Sequence, residues 1–352
     1  MALLHADNFS IYGTDMSLLT NGIYAEVNGS LTSDPDGLSS GRVLNTENTT
    51  SNSSRPFRYV SQEGPKDTMG FCLRLWYTNL PNNNTGQFQV QFRNTSNDNI
   101  AALYITATGQ VTFYTFGGES FTTDIPVVTA NGWYHYEVKF TKVTAATCDF
   151  EVRVEGITVL SGEGVAVPVP DDPAQVCASR ANISINHNVF IKDLVIWNGE
   201  GTYNNDFLGT VLVTSLLPVS DISLNWTPSS GSTGYTILDN IPPSNSQFLS
   251  AGFDPVPPAY VGELSDLPID ATSVKGLITF VRAAKSDGGD GSLQNGLISD
   301  PDGTPATALG ADRPITVAQT YWRDVFETDP KTGAPWIPAA VNETQIRINR
   351  TT

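Results

Sequence analysis

Three histidines, His5, His135 and His187, are the residues of this 352-residue chain that could act as general bases. A serine or cysteine nucleophile needs such a base within hydrogen-bond reach. No Gly-x-Ser-x-Gly elbow accompanies them, and three isolated histidines make no zinc set. His135 is one of the polar residues in a run of alternating apolar and polar residues. His187 lies in a polar loop, and His5 is near the start of the chain. We therefore interpret all three as surface histidines.

Paired carboxylates would indicate glycoside hydrolysis, in which two acids flank the scissile bond from one face. On a strand this requires alternate positions, as in Glu-x-Asp-x-x-Glu. Glu327 and Asp329 begin that spacing, but a Pro-Lys-Thr turn follows them. Glu151, Arg153 and Glu155 share an outward face, which is typical of a solvated charge ladder. The sequence predicts no catalytic residues and hence no enzyme.

Clustered aspartates beside glycine are the only pattern that could hold a cation, because Ca²⁺ takes carboxylate and carbonyl oxygens. Ser-Asp-Pro-Asp-Gly occurs twice and is also an ordinary turn. The ligand spacing of a calcium loop is absent, so we predict turns and no metal site, with Ca²⁺ as the one possible ion. The aspartate pairs are Asp34 with Asp36, Asp287 with Asp290, and Asp300 with Asp302.

Aromatic side chains could stack on a sugar if they were exposed beside polar neighbours. Two pairs fit this hypothesis, Trp76 with Tyr77 and Tyr104 with Tyr114, but alternation alone does not show which of them face water. Ligand-binding residues therefore stay unknown. We expect packing roles for four other tryptophans: Trp133, Trp197, Trp226 and Trp336.

The net charge of −17 argues against nucleic-acid binding, which depends on clustered lysines and arginines.

Cys72, Cys148 and Cys177 are odd in number and widely spaced, so we expect buried thiols. No apolar run reaches the length of a membrane span, and the first residues lack the pattern of a signal peptide. We expect a protein that folds in a cytoplasm, without membrane insertion.

The elements that would position these residues are strands. Apolar residues alternate with polar ones in Phe88–Arg93, Phe150–Glu155 and Tyr134–Phe140, and this period of two predicts strands with one wet face. Turn-forming clusters such as Asp34–Gly37 and Asn131–Gly132 separate them. No sustained helical stripe occurs, so the sequence predicts an all-β protein.

The length suits two domains, each able to bury its own core. Phe190–Trp197 reads as a dense strand and a polar loop follows it. We predict a first β-sandwich over 1–207 and a second, jelly-roll-like β-sandwich over 208–352. Further predicted segments are strands at Val211–Leu217, Val274–Arg282 and Tyr321–Phe326, and weak helix at Pro338–Gln345.

Two strands resemble a known fold family. Gly132–Phe140 is similar to the Trp-Tyr/His-x-x-Glu-Val strand of concanavalin A-like, laminin G-like sandwiches. Ile191–Trp197 is similar to the segment that closes such domains, although Lys192 replaces the usual first acid. The resemblance implies that fold for the first domain and says little about function.

A second resemblance involves tailed-bacteriophage virion proteins that carry this sandwich followed by another β-domain. It implies a non-enzymatic structural protein on the virion exterior, as head decoration (cement) or tail-attached protein, that assembles in the bacterial cytoplasm. Capsid or tail proteins would be its partners, and a symmetric homo-oligomer is expected. The motifs occur in order at Asn204–Val213, Trp226–Gly231, Glu263–Pro268 and Val325–Trp336.

Two other functions stay open. The chain could be a glycan-binding adhesin, that is, a tail fibre or receptor-binding protein, for which the sandwich fold is suggestive by analogy only. It could also cleave such a glycan as a depolymerase. The missing acid pair makes that the weakest hypothesis.

Overall fold

The computed structural model describes residues 1–20, 24–37, 41–46, 55–81, 88–167, 172–180, 188–231, 233–252, 259–286, 288 and 290–351. The chain folds into two compact units. The first comprises Met1–Ser10 and Thr14–Val213, and the second comprises Ile11–Gly13 and Thr214–Thr352. The regular secondary structure of both units is mainly antiparallel strands, 47% of residues against 5% in helices, which confirms the predicted all-β class.

The first unit is a sandwich of two large sheets with one turn of α-helix, α1, at Ser17–Thr20, preceded in the chain by a short 3-10 helix at Ser10–Tyr12. Its strands are β1 (Leu3–Asp7), β2 (Glu26–Val27), β3 (Ser30–Ser33), β4 (Arg42–Asn45), β5 (Phe57–Val60), β6 (Thr68–Tyr77), β7 (Phe88–Arg93), β8 (Asn99–Ile105), β9 (Val111–Thr115), β10 (Ser120–Thr122), β11 (Trp133–Lys142), β12 (Thr147–Val154), β13 (Ile157–Ala166), β14 (Gln175–Arg180) and β15 (Val189–Asn198).

The two sheets of the first unit have eight and seven strands. The eight-stranded sheet runs β13-β12-β11-β6-β15-β4-β3, with β1 paired to β15. The seven-stranded sheet runs β10-β9-β8-β7-β14-β5-β2. All these pairings are antiparallel, so consecutive residues of each strand point to opposite faces.

Aromatic rings fill the space between the sheets. Phe92 of β7 packs against Phe71 of β6 and Phe140 of β11, with ring centroids 5.2 and 5.5 Å apart. Phe113 of β9 stacks on Phe150 of β12 at 4.1 Å. The two sheets therefore share one apolar layer, as expected when alternate residues of both sheets face inwards.

The segment 206–213, which we name the strap segment, lies against the outer face of the eight-stranded sheet. The backbone N–H groups of Leu208 and Gly209 donate to Glu137 Oε1 of β11 at 2.9 and 3.0 Å. The backbone N–H of Val213 donates to Asp193 Oδ1 of β15 at 3.0 Å. The predicted strand at Val211–Leu217 is therefore wrong, because this backbone bonds to side chains of a sheet and forms no ladder.

The second unit has one six-stranded sheet, β16-β19-β25-β21-β22 with β23 paired to β21, and the two-stranded sheets β17-β18 and β20-β24. Its elements are β16 (Pro218–Ser223), β17 (Thr227–Pro228), α2 (Tyr235–Leu238), β18 (Leu249–Ser250), β19 (Tyr260–Leu264), β20 (Leu277–Ala283), β21 (Ser292–Ser299), β22 (Ala306–Leu309), β23 (Arg313–Pro314), β24 (Thr320–Phe326), α3 (Pro338–Asn342) and β25 (Gln345–Arg350).

The core of the second unit joins the six-stranded sheet to the β20-β24 pair. Tyr260 and Leu293 come from the larger sheet, and Val281 and Trp322 come from the pair. Trp336 is buried with Phe326 and donates its indole N–H to the Phe326 carbonyl at 2.9 Å. The strands predicted near residues 274–282 and 321–326 are confirmed within a few residues.

Among the described residues, no helix combines the length and apolar character needed to cross a bilayer.

Candidate functional site

The outer face of the seven-stranded sheet carries a row of side chains that could bind a ligand. Strand register places Tyr114 of β9 opposite Ala102, Ala102 opposite Gln91, and Gln91 opposite Cys177 of β14. Cys177 lies opposite Arg58 of β5, which in turn lies opposite Glu26 of β2. Residues opposite each other in an antiparallel pair share a face. We call this the arginine face; it also includes Gln89, Arg93, Tyr104, Gln175 and the nearby Arg55.

A ladder of hydrogen bonds runs along β7 on the arginine face. Arg93 Nε donates to Gln91 Oε1 at 3.0 Å, and Gln91 Nε2 donates to Gln89 Oε1 at 2.7 Å. The Tyr114 hydroxyl donates to the same Gln89 oxygen at 3.3 Å. Because each side chain fixes the next, the face is held in one arrangement before any ligand arrives.

Guanidinium groups outnumber carboxylates on the arginine face. Arg55 NH1 lies 3.0 Å from Glu26 Oε2, and Arg58 NH2 lies 3.3 Å from Glu26 Oε1, so two arginines share one acid. Arg93 adds a third cation. Its hydrogen-bond partners are Gln91 and Asn97, and within the described chain no carboxylate forms an ion pair with it.

Burial makes the charged form of Arg93 energetically unfavourable. The side chain is only 5% exposed. Desolvation, followed by repulsion from Arg55 and Arg58, lowers its pKa from the ordinary value, although an arginine remains charged at any physiological pH. A buried cation without an acid partner destabilises the fold unless its neutral partners or a ligand compensate.

Tyr104 and Tyr114 lie together on the arginine face, as one of the two hypothesised aromatic pairs. Their rings form an edge contact with centroids 5.6 Å apart. Both are partly exposed. Burial raises the pKa of Tyr114 to about 12, so its hydroxyl stays protonated at neutral pH and acts as a hydrogen-bond donor.

The two residues of the other hypothesised pair point to opposite faces of their strand. Trp76 and Tyr77 are consecutive on β6, and Tyr77 points into the core with only 1% exposure. Trp76 instead contacts Trp133 on the outer face of the eight-stranded sheet, at 5.9 Å between centroids. Trp76 and Tyr77 therefore form no common platform.

Asp34 contacts the outer face of the eight-stranded sheet and forms an ion pair with Lys192. Its carboxylate accepts the Lys192 ammonium at 2.7 Å and the Trp133 indole N–H at 3.0 Å. The Lys192 nitrogen also lies 4.2 Å from the Trp133 ring centroid. Against the opposing effect of desolvation, these bonds lower the pKa of Asp34. The Asp34 carboxylate is therefore engaged by an ammonium group and an indole N–H of the protein.

The remaining aspartate pairs show turn geometry where they are described. Asp300 has a φ of 51° and accepts the backbone N–H of Thr304 at 3.1 Å and the Lys331 ammonium at 3.2 Å. Asp287 lies outside the described residues. The described parts of the chain contain no group of three or more His, Cys, Asp or Glu residues able to hold a metal ion.

The surface prediction was wrong for two of the three histidines. His5 is 1% exposed, bonds to the Tyr24 hydroxyl at 2.8 Å and stacks on Tyr59. His135 is fully buried on the outer side of β11 and its ring nitrogens have no hydrogen-bond partner. His5 lies between the two sheets, where Tyr24 and Tyr59 contact it, whereas the outer side of β11 that carries His135 is covered and not wet. His187 lies outside the described residues.

The candidate carboxylates have structural partners. Glu151 accepts Arg153 Nε at 2.8 Å, which agrees with a charge ladder, whereas Glu155 sits in the turn after β12 and accepts the His135 backbone N–H at 2.6 Å. Asp329 is buried and its carboxylate accepts the backbone N–H of Lys331 at 2.9 Å. Glu327 and Asp329 therefore belong to a turn.

The packing interpretation of the tryptophans is confirmed for Trp197, Trp226 and Trp336, which are 0%, 8% and 2% exposed, while Trp133 is partly exposed. The three cysteines are buried and free, as predicted.

The residues that sequence reasoning missed are Gln89, Gln91 and Arg93. They were expected to form a wet face, yet every residue of β7 is buried. Two glutamines and an arginine at alternate positions were a visible signal. Their meaning depended on Arg58 and Tyr114, which only sheet pairing brings beside them.

No protein-family model matches this chain, and no curated protein matches it. Solved structures with a similar fold include a sialidase, at 17% identity and a TM-score of 0.40 over 55% of this chain and 18% of that one. An endo-beta-1,4-glucuronan lyase from the fungus Trichoderma reesei is 11% identical, with a TM-score of 0.38 over 55% of this chain and 94% of the lyase. The botulinum neurotoxin serotype G binding domain is 9% identical, with a TM-score of 0.37 over 55% and 47% of the two chains.

Proposed function

We propose that the first unit is a carbohydrate-binding module and that the arginine face is its binding surface. The observation that supports this is the Tyr104–Tyr114 pair beside an ordered amide ladder. Sugars are bound by aromatic rings together with a few fixed hydrogen-bonding groups. Gln89 Oε1 accepts hydrogen bonds from Gln91 Nε2 and from the Tyr114 hydroxyl, so the amide ladder extends to the tyrosine pair.

We propose binding without cleavage. The described residues of the arginine face include one carboxylate, Glu26, which is shared by Arg55 and Arg58. Glycoside hydrolysis needs two. Tyr114 is a poor base at neutral pH because its pKa is about 12. Release of reducing ends or of unsaturated sugar products from host capsule by the pure protein would overturn this part of the proposal.

A glycan array probed with the whole chain tests the binding role. Tyr104→Ala is expected to weaken the strongest signal about tenfold or more, because stacking area is lost from a rigid ring. Tyr203→Ala, a partly exposed tyrosine away from this sheet, serves as the matched control. No array signal from folded protein, or an unchanged signal in Tyr104→Ala, would contradict the proposal.

We propose further that this module belongs to a protein on the exterior of a tailed-phage particle, as decoration or as a tail-attached protein. The support is the ordered series of motifs. Two of them have structural roles here: the strap segment lies on the eight-stranded sheet, and Trp336 closes a core cluster. Capsid or tail proteins would be its partners.

Cryo-electron microscopy of particles carrying this chain tests the location. Density over the head lattice would support decoration, and density on the tail would support an attached adhesin. Particles without density for the chain would contradict the virion assignment and leave the binding proposal standing.

A further inference from the structure

We infer that the glycan bound by the first unit is an uncharged chain of glucose-like units, one of which stacks on Tyr114 between Tyr104 and Phe116. We call these three rings the aromatic cradle. This inference rests on the proposed carbohydrate-binding role and names both the position and the class of the sugar.

The aromatic cradle lies at the accessible end of the arginine face. Towards the middle of the face, Ala102, Gln91 and Arg93 are covered, being 0%, 3% and 5% exposed. Phe116, by contrast, is 37% exposed, and both tyrosines of the cradle are partly exposed. A ligand therefore meets this sheet at β8, β9 and β10, where the rings are.

Tyr114 lies along the sheet and forms the floor of the cradle. It belongs to β9, and its hydroxyl donates to Gln89 Oε1 of β7 at 3.3 Å, so the side chain crosses the intervening strand β8. Ala102, the residue of β8 opposite Tyr114, is fully buried. The ring therefore covers the small alanine with one face and presents its other face outwards.

Tyr104 and Phe116 form the walls of the cradle. The Tyr104 ring is inclined at 66° to the Tyr114 ring, and the Phe116 ring at 47°, with centroid distances of 5.6 and 4.8 Å. Aromatic rings pack well against flat apolar surfaces. A sugar whose hydroxyl groups are all equatorial, as in glucose, presents only C–H groups on its two faces. The cradle therefore suits a glucose-like unit.

The rim of the cradle along β10 carries neutral hydroxyl groups. Ser120 lies opposite Tyr114, and Thr122 lies opposite Thr112. Both β10 side chains are exposed, and the Thr112 and Thr122 hydroxyls are 2.9 Å apart. Hydroxyl groups both donate and accept hydrogen bonds, as sugar hydroxyls do. The polar contacts at this rim therefore match an uncharged sugar.

The arginines of the face do not favour an anion at the cradle. Arg93 already donates from all its side-chain nitrogens to Gln91 and Asn97. Arg58 lies four strands from Tyr114, which is about 19 Å at the usual strand spacing and beyond the Debye length of about 8 Å at physiological salt. The net charge of −17 repels anions from the chain as a whole. An uncharged glycan is therefore favoured over an acidic one.

The experiment compares two ligands by isothermal titration calorimetry with the full chain: cellohexaose, and the same hexasaccharide after oxidation of its C6 hydroxymethyl groups to carboxylates. We expect cellohexaose to bind at least about tenfold more tightly, because the acidic form is repelled and meets no free cation at the cradle. Added salt should leave the affinity for cellohexaose unchanged, since no charge takes part.

Two variants locate the binding site. Tyr114→Ala removes the floor and should weaken cellohexaose binding about tenfold or more. Phe116→Ala removes one wall and should weaken it at least about threefold. Because Phe116 is an exposed residue, its truncation leaves the core intact and keeps the test valid if Tyr114→Ala is unstable. Phe248→Ala, at an exposed phenylalanine of the second unit, is the matched control and should bind as the wild type does.

Equal or tighter binding of the oxidised hexasaccharide would overturn the inference and leave the carbohydrate-binding proposal intact. So would binding of neither hexasaccharide when other glycans give signals on the array. An unchanged affinity in both Tyr114→Ala and Phe116→Ala would overturn the assignment to the aromatic cradle. Binding of neither hexasaccharide, together with an empty glycan array from folded protein, would overturn the inference and the proposed function together.

Discussion

Two buried side chains show how position decides the behaviour of an ionisable residue. Arg93 and His135 both belong to strands whose alternation predicts a wet face. Arg93 keeps its charge because amide and backbone oxygens surround it, whereas His135 has no such partners. A buried histidine without hydrogen bonds is most stable when neutral. The arginine therefore stays charged within the fold, and the histidine is a pH-dependent weak point.

His135 is expected to destabilise the fold in mild acid. Burial, reinforced by Arg74, lowers its pKa from 6.5 to about 4. Between these values the unfolded chain binds a proton that the folded chain does not, so stability falls as the pH drops through this window. Replacing His135 by Leu should therefore raise the free energy of unfolding at about pH 5 by roughly 2 kcal/mol more than at about pH 7.

Urea unfolding of the wild type and of His135→Leu at the two pH values measures this difference. Equal effects of the substitution at both pH values would show that His135 titrates normally in the folded protein.

Gly70 is expected to tolerate no side chain. A Cβ at this position would overlap the indole ring of Trp197, which is itself fully buried. Gly70→Ala must displace the ring and should cost about 1–3 kcal/mol of stability, as overpacking does. Thermal or urea unfolding checks this, with Gly252→Ala as control because a Cβ there meets no atom within 4 Å. A Gly70→Ala variant as stable as the wild type would show that the core adjusts freely.

At the scale of elements, the strap segment explains why Glu137, on the outer face of β11, is buried. Tyr136, Val138 and Phe140 face the core as predicted, but Glu137 on the opposite face is also fully buried. Its Oε1 atom accepts the two backbone N–H groups of the strap segment. One carboxylate therefore accepts hydrogen bonds from two backbone N–H groups of an irregular segment, which has no strand partner to accept them.

Glu137→Gln should loosen the strap segment. The amide keeps the shape of the side chain but gives weaker, neutral hydrogen bonds, so a loss of about 1–3 kcal/mol is expected. Cleavage within residues 204–213 in limited proteolysis should accelerate, while Glu163→Gln, on β13 of the same sheet and exposed, should leave it unchanged. Equal cleavage of Glu137→Gln and wild type would show that other contacts hold the strap segment.

For the whole molecule, charge determines association. A net charge of −17 makes copies of the chain repel one another at neutral pH. The arginine face is a local exception, and its reach is limited to about 8–10 Å at physiological salt.

Self-association is expected near the isoelectric point. The sequence pI is about 4.4, so light scattering should rise as the pH approaches that value and fall again at neutral pH. Adding salt at neutral pH should have little effect on scattering unless specific contacts form. Particles of constant size across this pH range would indicate an assembly held by contacts that charge does not control.

The sequence by itself determined the fold class, the strand over 190–197, the burial of the cysteines and the turn at Asp34–Gly37. These features follow from alternation, residue type and turn chemistry, all of which act over a few neighbouring residues.

Tertiary structure alone decided which polar residues are buried and which residues distant in the chain lie side by side. Alternation assigns a face to Gln91, Arg93 and His135, but whether that face is covered depends on segments distant in the chain. Arg58 and Tyr114 are 56 residues apart in sequence and reach one row through four sheet pairings. Long-range pairing is set by the register of many strands together, so no local pattern could have shown the arginine face.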